Sequence, residues 1–136
     1  MKRTATAVWN GSGKDGSGHL TTQSTTLNNA QYSYKSRFEQ GVGTNPEELI
    51  AAAHSGCFAM ALSFELQKNG FTADALDVTA EITLDNGTIT ASHLVLKAKI
   101  PNITEDKFKE YAANAKAGCP VSKLLKADIS LDASLV

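Results

Sequence analysis

Gly43-Thr44-Asn45-Pro46-Glu47-Glu48 runs directly into Leu49-Ile50-Ala51-Ala52-Ala53-His54-Ser55-Gly56-Cys57-Phe58-Ala59-Met60-Ala61-Leu62. The first six residues are a helix start: Asn45 suits the N-cap, Pro46 the first helical position, and Glu48 the third, completing a capping box. The helix is predicted to continue to Lys68 or Asn69, with Gly70 as its C-terminal stop. Its middle is apolar nearly all round, so it is expected to be buried on several sides. The run of alanines leaves room for close approach of a second helix, including one from another copy of the chain. A cysteine sits in the middle of this helix. The only other one, Cys119, lies in Ala117-Gly118-Cys119-Pro120-Val121-Ser122.

The flanking segments read outward from that helix. Thr4 to Trp9 alternates as a first strand, with Ala5, Ala7 and Trp9 on one face. Asn10 to Gly18 holds four of the ten glycines and reads as a loop; its glycine spacing is not that of a phosphate-binding loop. Residues 19–27 and 31–38 are expected to pair as a hairpin turned at Asn28-Asn29-Ala30. Arg37 would then stand on the polar face of the second strand. After the helix, Leu76, Val78, Ala80, Ile82 and Leu84 alternate with polar residues, the clearest strand pattern in the chain. Asn86-Gly87 is a primed hairpin turn, and the return strand places Leu94, Leu96, Ala98 and Ile100 inward. Thr104 caps a second helix with Phe108, Tyr111, Ala112 and Ala115 at helical spacing. Pro120 opens a short helical turn through Lys126, and Asp128 to Ser134 is a last strand. Strands and helices are not in strict alternation, which gives an α+β class with largely antiparallel sheets.

Bulk properties narrow the possibilities. With 136 residues and a hydrophobic fraction of 42%, the chain is expected to form a single domain, 1–136, with its own core. A net charge of −1 gives no reason to expect nucleic acid or an anionic membrane surface as partner. No uninterrupted apolar stretch long enough for a membrane span is found, and the residues after Met1-Lys2-Arg3 alternate rather than form a signal peptide. A cytoplasmic location is the expectation. Cysteines there are kept as thiols, and a disulfide is more often catalytic or sensing than structural.

Each candidate residue has a plain structural reading beside the chemical one. A buried cysteine in an apolar helix, as Cys57 is expected to be, is usually just a small hydrophobe. Cys119, by contrast, precedes Pro120 and a helix start, where free N–H groups favour a thiolate. Together the two cysteines are candidates for a dithiol that cycles to a disulfide. Glu47 is either a charge that complements the helix dipole or a site residue. It lies ten residues before Cys57, about 15 Å of axis in a straight helix, so a role at a thiol site would need either a broken helix or a partner chain, and in an unbroken helix it predicts a dimer. Arg37 is either solvated or the cation that lowers a thiol pKa. His54 lies one turn before Cys57, as a base or, more simply, as a hydrogen-bonded core histidine. No CxxC or HExxH spacing is present, and no metal site is expected.

Arg37-Phe38-Glu39, Gly43 to Leu49, Ala52 to Leu62 and Ala115 to Ser122 closely resemble the OsmC/Ohr family of osmotically inducible and organic hydroperoxide resistance proteins. The resemblance runs over essentially the whole chain. It implies an intertwined homodimer, with two long central helices wrapped by antiparallel sheets and two active sites at the interface. It also implies a thiol-dependent peroxidase that reduces organic hydroperoxides, and hydrogen peroxide less well. By the same resemblance Cys57 is peroxidatic, Cys119 resolving, and Glu47 the glutamate that orients the site's arginine. In the Ohr branch that arginine follows the first strand, where this chain has Lys14 and no arginine. Arg37 takes its place, which points to the OsmC branch. The implied chemistry is a Cys57 sulfenic acid that condenses with Cys119 to a disulfide. An external dithiol or a lipoylated protein then resets the pair, and no cofactor is needed. The alternatives are a redox sensor using the same cysteines and a dimer that binds an apolar ligand without turnover.

Overall fold

Asn45 starts the long helix as the sequence predicts: its side-chain oxygen accepts the Glu48 N–H at 2.8 Å. The capping box is not closed in the expected way, because the Glu48 carboxylate accepts the Thr44 hydroxyl instead of reaching the Asn45 backbone. The computed structural model describes residues 1–136. In order they form β1 (Ala5–Asn10), β2 (Ser17–Thr22), β3 (Ala30–Ser33), α1 (Tyr34–Phe38), α2 (Pro46–Lys68), β4 (Ala75–Asp85), β5 (Thr88–Lys99), α3 (Glu105–Gly118), α4 (Pro120–Leu124) and β6 (Asp128–Leu135). Helices and two three-stranded sheets make this an α+β fold. The chain divides into two compact units, Met1–Leu49 and Ile50–Val136.

In the first unit β2 pairs antiparallel with both β1 and β3. The second strand of the expected hairpin stops at Ser33, and residues 34–38 are helical instead. The reason is a local cap: Ser33 Oγ accepts the Ser36 N–H at 3.2 Å while Ser36 Oγ accepts the Ser33 N–H at 2.9 Å. A five-residue helix leaves no periodic signature, so Ser33 to Phe38 reads equally well as a strand. Gly43, at φ +114°, lets the chain pass against Gln31, whose carbonyl oxygen would lie 2.2 Å from any Cβ there. Thr44 N–H then donates to that carbonyl at 2.8 Å.

The second unit holds the core. β5 is central in the order β4-β5-β6, and its inward side chains Ser92, Leu94, Leu96 and Ala98 are fully buried. Phe58, Leu62 and Leu66 of α2 join Phe108, Tyr111, Ala112 and Ala115 of α3 in the same cluster. The Asn86-Gly87 turn has positive φ at both residues, 47° and 79°, as the primed type requires. Three of the four strand pairings are antiparallel, as expected of largely antiparallel sheets, and only β6 runs parallel to its neighbour β5. The chain leaves β5 through α3 and α4 before returning, and a crossover of that length delivers a parallel neighbour.

Helix α2 ends at Lys68 in a Schellman cap. Phe71 N–H donates to the Leu66 carbonyl and Gly70 N–H to that of Gln67, at 2.9 and 3.1 Å, with Gly70 at φ +81°. Burial of α2 is confined to one stripe, His54, Phe58, Leu62 and Leu66, rather than to several sides. Its other side exposes Ala52, Ala53 and Gly56, then Met60 and Phe64 at 62% and 63%. By length and composition alone α2 is apolar enough to cross a membrane, which the sequence reading did not anticipate. Its buried stripe is packed into the protein's own core.

Candidate active site

The site residues fall into two groups, the first assembled by short-range hydrogen bonds and the second by packing of segments distant in sequence. In the first, Asn45 works at two helix ends. Besides capping α2, its side-chain amide donates to the Ser36 carbonyl in α1 at 3.1 Å. Ser36 Oγ donates to the Thr44 carbonyl at 2.8 Å. These bonds hold α1 against the start of α2, so that Arg37 faces Glu47. Arg37 Nε donates to both carboxylate oxygens at 3.1 Å each, and Nη2 to Oε1 at 2.6 Å. The fork-on-carboxylate geometry fixes the guanidinium plane. The hydrogen bond from Arg37 to Glu47 is the main reason that the Arg37 pKa is raised. Arg37 also stacks over Phe38, 5.1 Å from the ring centroid. Beside it is a hollow of about 280 Å³ lined by Trp9, Tyr32, Tyr34, Phe38 and Pro46.

The second group is the thiol pair. Cys57 of α2 and Cys119, the residue before α4, are 62 positions apart in sequence with Sγ atoms 2.8 Å apart. Both are free thiols, Cys119 buried and Cys57 half-buried. A disulfide needs about 2.05 Å, so closure requires a shift of less than about 1 Å.

The two thiols differ in acidity for stated reasons. Burial pushes Cys57 up, the hydrogen bond with Cys119 pushes the same way, and one Val121 N–H opposes them. Burial also opposes ionisation of Cys119, but it is outweighed by the Cys57 thiol, the Ser122 and Val121 N–H groups and the Ser122 side chain. The Cys119 pKa is therefore lowered. With both thiols protonated Cys119 donates to Cys57. When one proton is lost, the charge rests on Cys119 and Cys57 becomes the donor. The sequence expectation that helix-start N–H groups favour ionisation of Cys119 agrees with this order.

His54 is a core histidine, fully buried. Its Nδ1 lies 2.6 Å from Ser92 Oγ and its Nε2 lies 2.8 Å from Ser122 Oγ. Burial lowers its pKa, which leaves it neutral near pH 7. Ser92 and Ser122 were not singled out in the sequence. Ser122 carried one usable signal: it follows Cys119 by three residues, as Cys57 follows His54. Ser92 carried none, since its place opposite α2 is set by the sheet. No group of three or more His, Cys, Asp or Glu side chains is gathered as a metal site.

The OsmC-like protein family model matches residues 39–134. The chain belongs to the OsmC-like family. The match begins two residues after Arg37. Peroxiredoxin OsmC of Escherichia coli strain K12 is 46% identical over 133 residues, covering 95% of this chain and 93% of that protein. Organic hydroperoxide resistance protein-like 1 of Staphylococcus saprophyticus is more distant, 30% identical over 66% of this chain and 67% of its own. Among solved OsmC-like folds, the OsmC-like protein of Mycoplasma pneumoniae superposes with a TM-score of 0.75 at 18% identity, over 100% of this chain and 98% of the other. The organic hydroperoxide resistance protein OhrB of Bacillus subtilis gives 0.71 at 23% identity, over 98% of both chains. The higher identity to the OsmC relative agrees with the branch indicated by Arg37.

Proposed function

We propose that the protein is a cysteine-based peroxidase that reduces organic hydroperoxides, and hydrogen peroxide less well, in the cytoplasm. The observation that carries this reading is the pair of free thiols 2.8 Å apart, in a chain 46% identical to Peroxiredoxin OsmC. Cys57, the more exposed thiol, is peroxidatic and Cys119 is resolving. The Cys57 thiolate attacks the distal oxygen of the hydroperoxide. The O–O bond breaks, the alkoxide takes a proton and leaves as the alcohol, and Cys57 becomes a sulfenic acid. The Cys119 sulfur attacks the sulfenic sulfur, the S–O bond breaks, and the hydroxide leaves with a proton as water. An external dithiol, free or carried on a lipoylated protein, reduces the resulting disulfide by exchange. No metal or organic cofactor enters the cycle.

Cys57 must be ionised to attack, and within its own unit burial and Cys119 both oppose that. A cation is required. Arg37, aligned by Glu47, supplies it from a second copy of the chain, steadying the thiolate and polarising the peroxide. Two observations support an intertwined homodimer working as one OsmC-like domain per chain. Glu47 and Cys57 are ten residues apart on one unbroken helix, about 15 Å of axis. The exposed Ala52, Ala53, Gly56, Met60, Phe64 stripe of α2 is small at one end and apolar throughout, suited to a like helix. The aromatic hollow beside Arg37 takes the organic group of the substrate.

The test is consumption of cumene hydroperoxide and of hydrogen peroxide with a dithiol reductant, with Cys57→Ser alongside. Turnover faster with the organic peroxide and lost in Cys57→Ser is the expected result. Full activity in Cys57→Ser would overturn the assignment. A wild-type chain with both thiols still free after peroxide would point instead to a binding protein.

A further inference from the structure

Trp9, Gly18 and Tyr32 lie in one row across the first sheet, Trp9 opposite Gly18 and Gly18 opposite Tyr32. β1 and β3 are not neighbours, and two strand spacings put their backbones about 10 Å apart. The Trp9 and Tyr32 rings nevertheless meet, with centroids 5.3 Å apart and planes tilted by 54°. They lean toward each other over β2, and the missing side chain of Gly18 is what permits it. A Cβ there would lie 2.6 Å from Tyr32 Cε1 and 2.9 Å from Trp9 Cε3. Gly18 does not have a positive φ, so space rather than backbone conformation excludes a side chain. Gly16 serves the same indole from the loop side. A Cβ there would lie 3.0 Å from Trp9 Nε1, which donates to the Ser12 carbonyl at 3.3 Å. The ring pair forms one wall of the hollow beside Arg37, and Tyr34 with Phe38, centroids 4.9 Å apart, forms another.

We propose that Gly18 is a specificity-determining position: by letting Trp9 and Tyr32 close over β2 it gives the hollow a continuous aromatic wall, which selects hydroperoxides whose organic group is a single aromatic ring over those with an aliphatic chain. This rests on the reading of the hollow as the place of the substrate's organic group. A ring gains from edge-to-face or offset contact with other rings beyond the area that it buries, whereas an aliphatic chain gains the area alone. A hollow of about 280 Å³ lies at the lower limit of small-molecule sites, with room for one ring and short substituents. Hydrogen peroxide has no organic group and makes no use of the wall.

Trp9 is the only tryptophan of the chain, so its fluorescence reports on the wall directly. The full chain is titrated with 2-phenyl-2-propanol, the alcohol left by cumene hydroperoxide, and with 1-hexanol, an alcohol of similar polarity without a ring. The ring alcohol is expected to shift Trp9 emission saturably, with an affinity about tenfold above that of 1-hexanol. Gly18→Ala should remove most of that preference. In turnover with a dithiol, the ratio of kcat/KM for cumene hydroperoxide to that for hydrogen peroxide should fall about tenfold in Gly18→Ala. A purely structural role would lower both alike and leave the ratio unchanged. The Val8 carbonyl also crowds a Cβ at Gly18, so Tyr32→Leu, which removes one ring and leaves β2 unchanged, provides the same test where Gly18→Ala does not fold. Equal affinity for the two alcohols in wild type would overturn the proposal, as would an undiminished preference in Gly18→Ala or Tyr32→Leu. Binding of an alcohol needs no peroxide. Ring-selective binding in a chain that reduces no hydroperoxide would refute the functional reading and leave the ring site standing. Turnover of cumene hydroperoxide with Trp9 unmoved by its alcohol would do the reverse.

Discussion

The two units hold their candidate site residues by different means. In Ile50–Val136 the thiols are held by packing. Cys119 is fully buried with Phe58, Leu62, Leu96 and Phe108 in one cluster, and burial itself shifts both pKa values. In Met1–Leu49 hardly any apolar side chain is buried. Every residue of β1 is exposed, and Phe38 and Val42 are 52% and 81% accessible. Arg37 and Glu47 are held there chiefly by hydrogen bonds, through Ser33, Ser36, Thr44 and Asn45, with the Arg37 guanidinium stacked over Phe38. A thiol must be kept from water and at a fixed distance from its partner, which a core provides. A guanidinium must stay charged and reachable, which a hydrogen-bonded surface provides. The exposed β1 face and the exposed stripe of α2 are also what a chain shows when part of its core is completed by another copy.

Substitutions sharpen this contrast. Phe58→Ala in the cored unit should cost about 3–5 kcal/mol of stability, whereas Val42→Ala in the other should stay within about 0.5 kcal/mol. Urea unfolding of both variants checks the difference, and equal costs would break it. Arg37→Ala should lower kcat/KM for cumene hydroperoxide about a hundredfold with little change in the unfolding midpoint, because its ion pair is partly exposed. Glu47→Gln keeps one acceptor for the guanidinium and should lose about tenfold. A larger loss for Glu47→Gln than for Arg37→Ala would assign the glutamate a direct part in the chemistry.

The smallest expected effect is one of pH. Burial lowers the folded-state pKa of His54 from its ordinary 6.5. Below about pH 6.5 the unfolded chain binds a proton that the folded chain refuses, so stability falls as pH falls through that window. His54→Gln removes this contribution. Thermal midpoints measured from pH 7.5 to 5.5 should therefore decline less steeply in the variant than in wild type, and identical slopes would mean that His54 is protonated in the fold.

What the sequence shows of this molecule follows the range of the interactions concerned. The β4–β5 hairpin was legible because alternation and Asn86-Gly87 are local and agree. The helix from Pro46 was legible for the same reason, through Asn45 and Gly70. Arg37 was assigned to a strand because α1 is a single turn set by a Ser33–Ser36 exchange that resembles alternation. The parallel setting of β6 depends on a crossover and leaves no mark in Asp128–Leu135. Of the site, the cysteines stood out by their surroundings, Gly118-Cys119-Pro120 above all. Their mutual approach, and the Ser92–His54–Ser122 row, depend on sheet and helix packing over as many as 68 positions of sequence, which spacing alone cannot reveal.

The central claim is that Cys57 of one copy is served by Arg37 of another, and mixing inactive variants tests it most directly. Cys57→Ser and Arg37→Ala proteins are unfolded together, refolded and assayed with cumene hydroperoxide and a dithiol. Random pairing makes about half of the dimers mixed, each with one intact site in two, so about a quarter of wild-type activity should return. A mixture no more active than the two variants apart would contradict the account and place Arg37 outside the Cys57 site of a second copy.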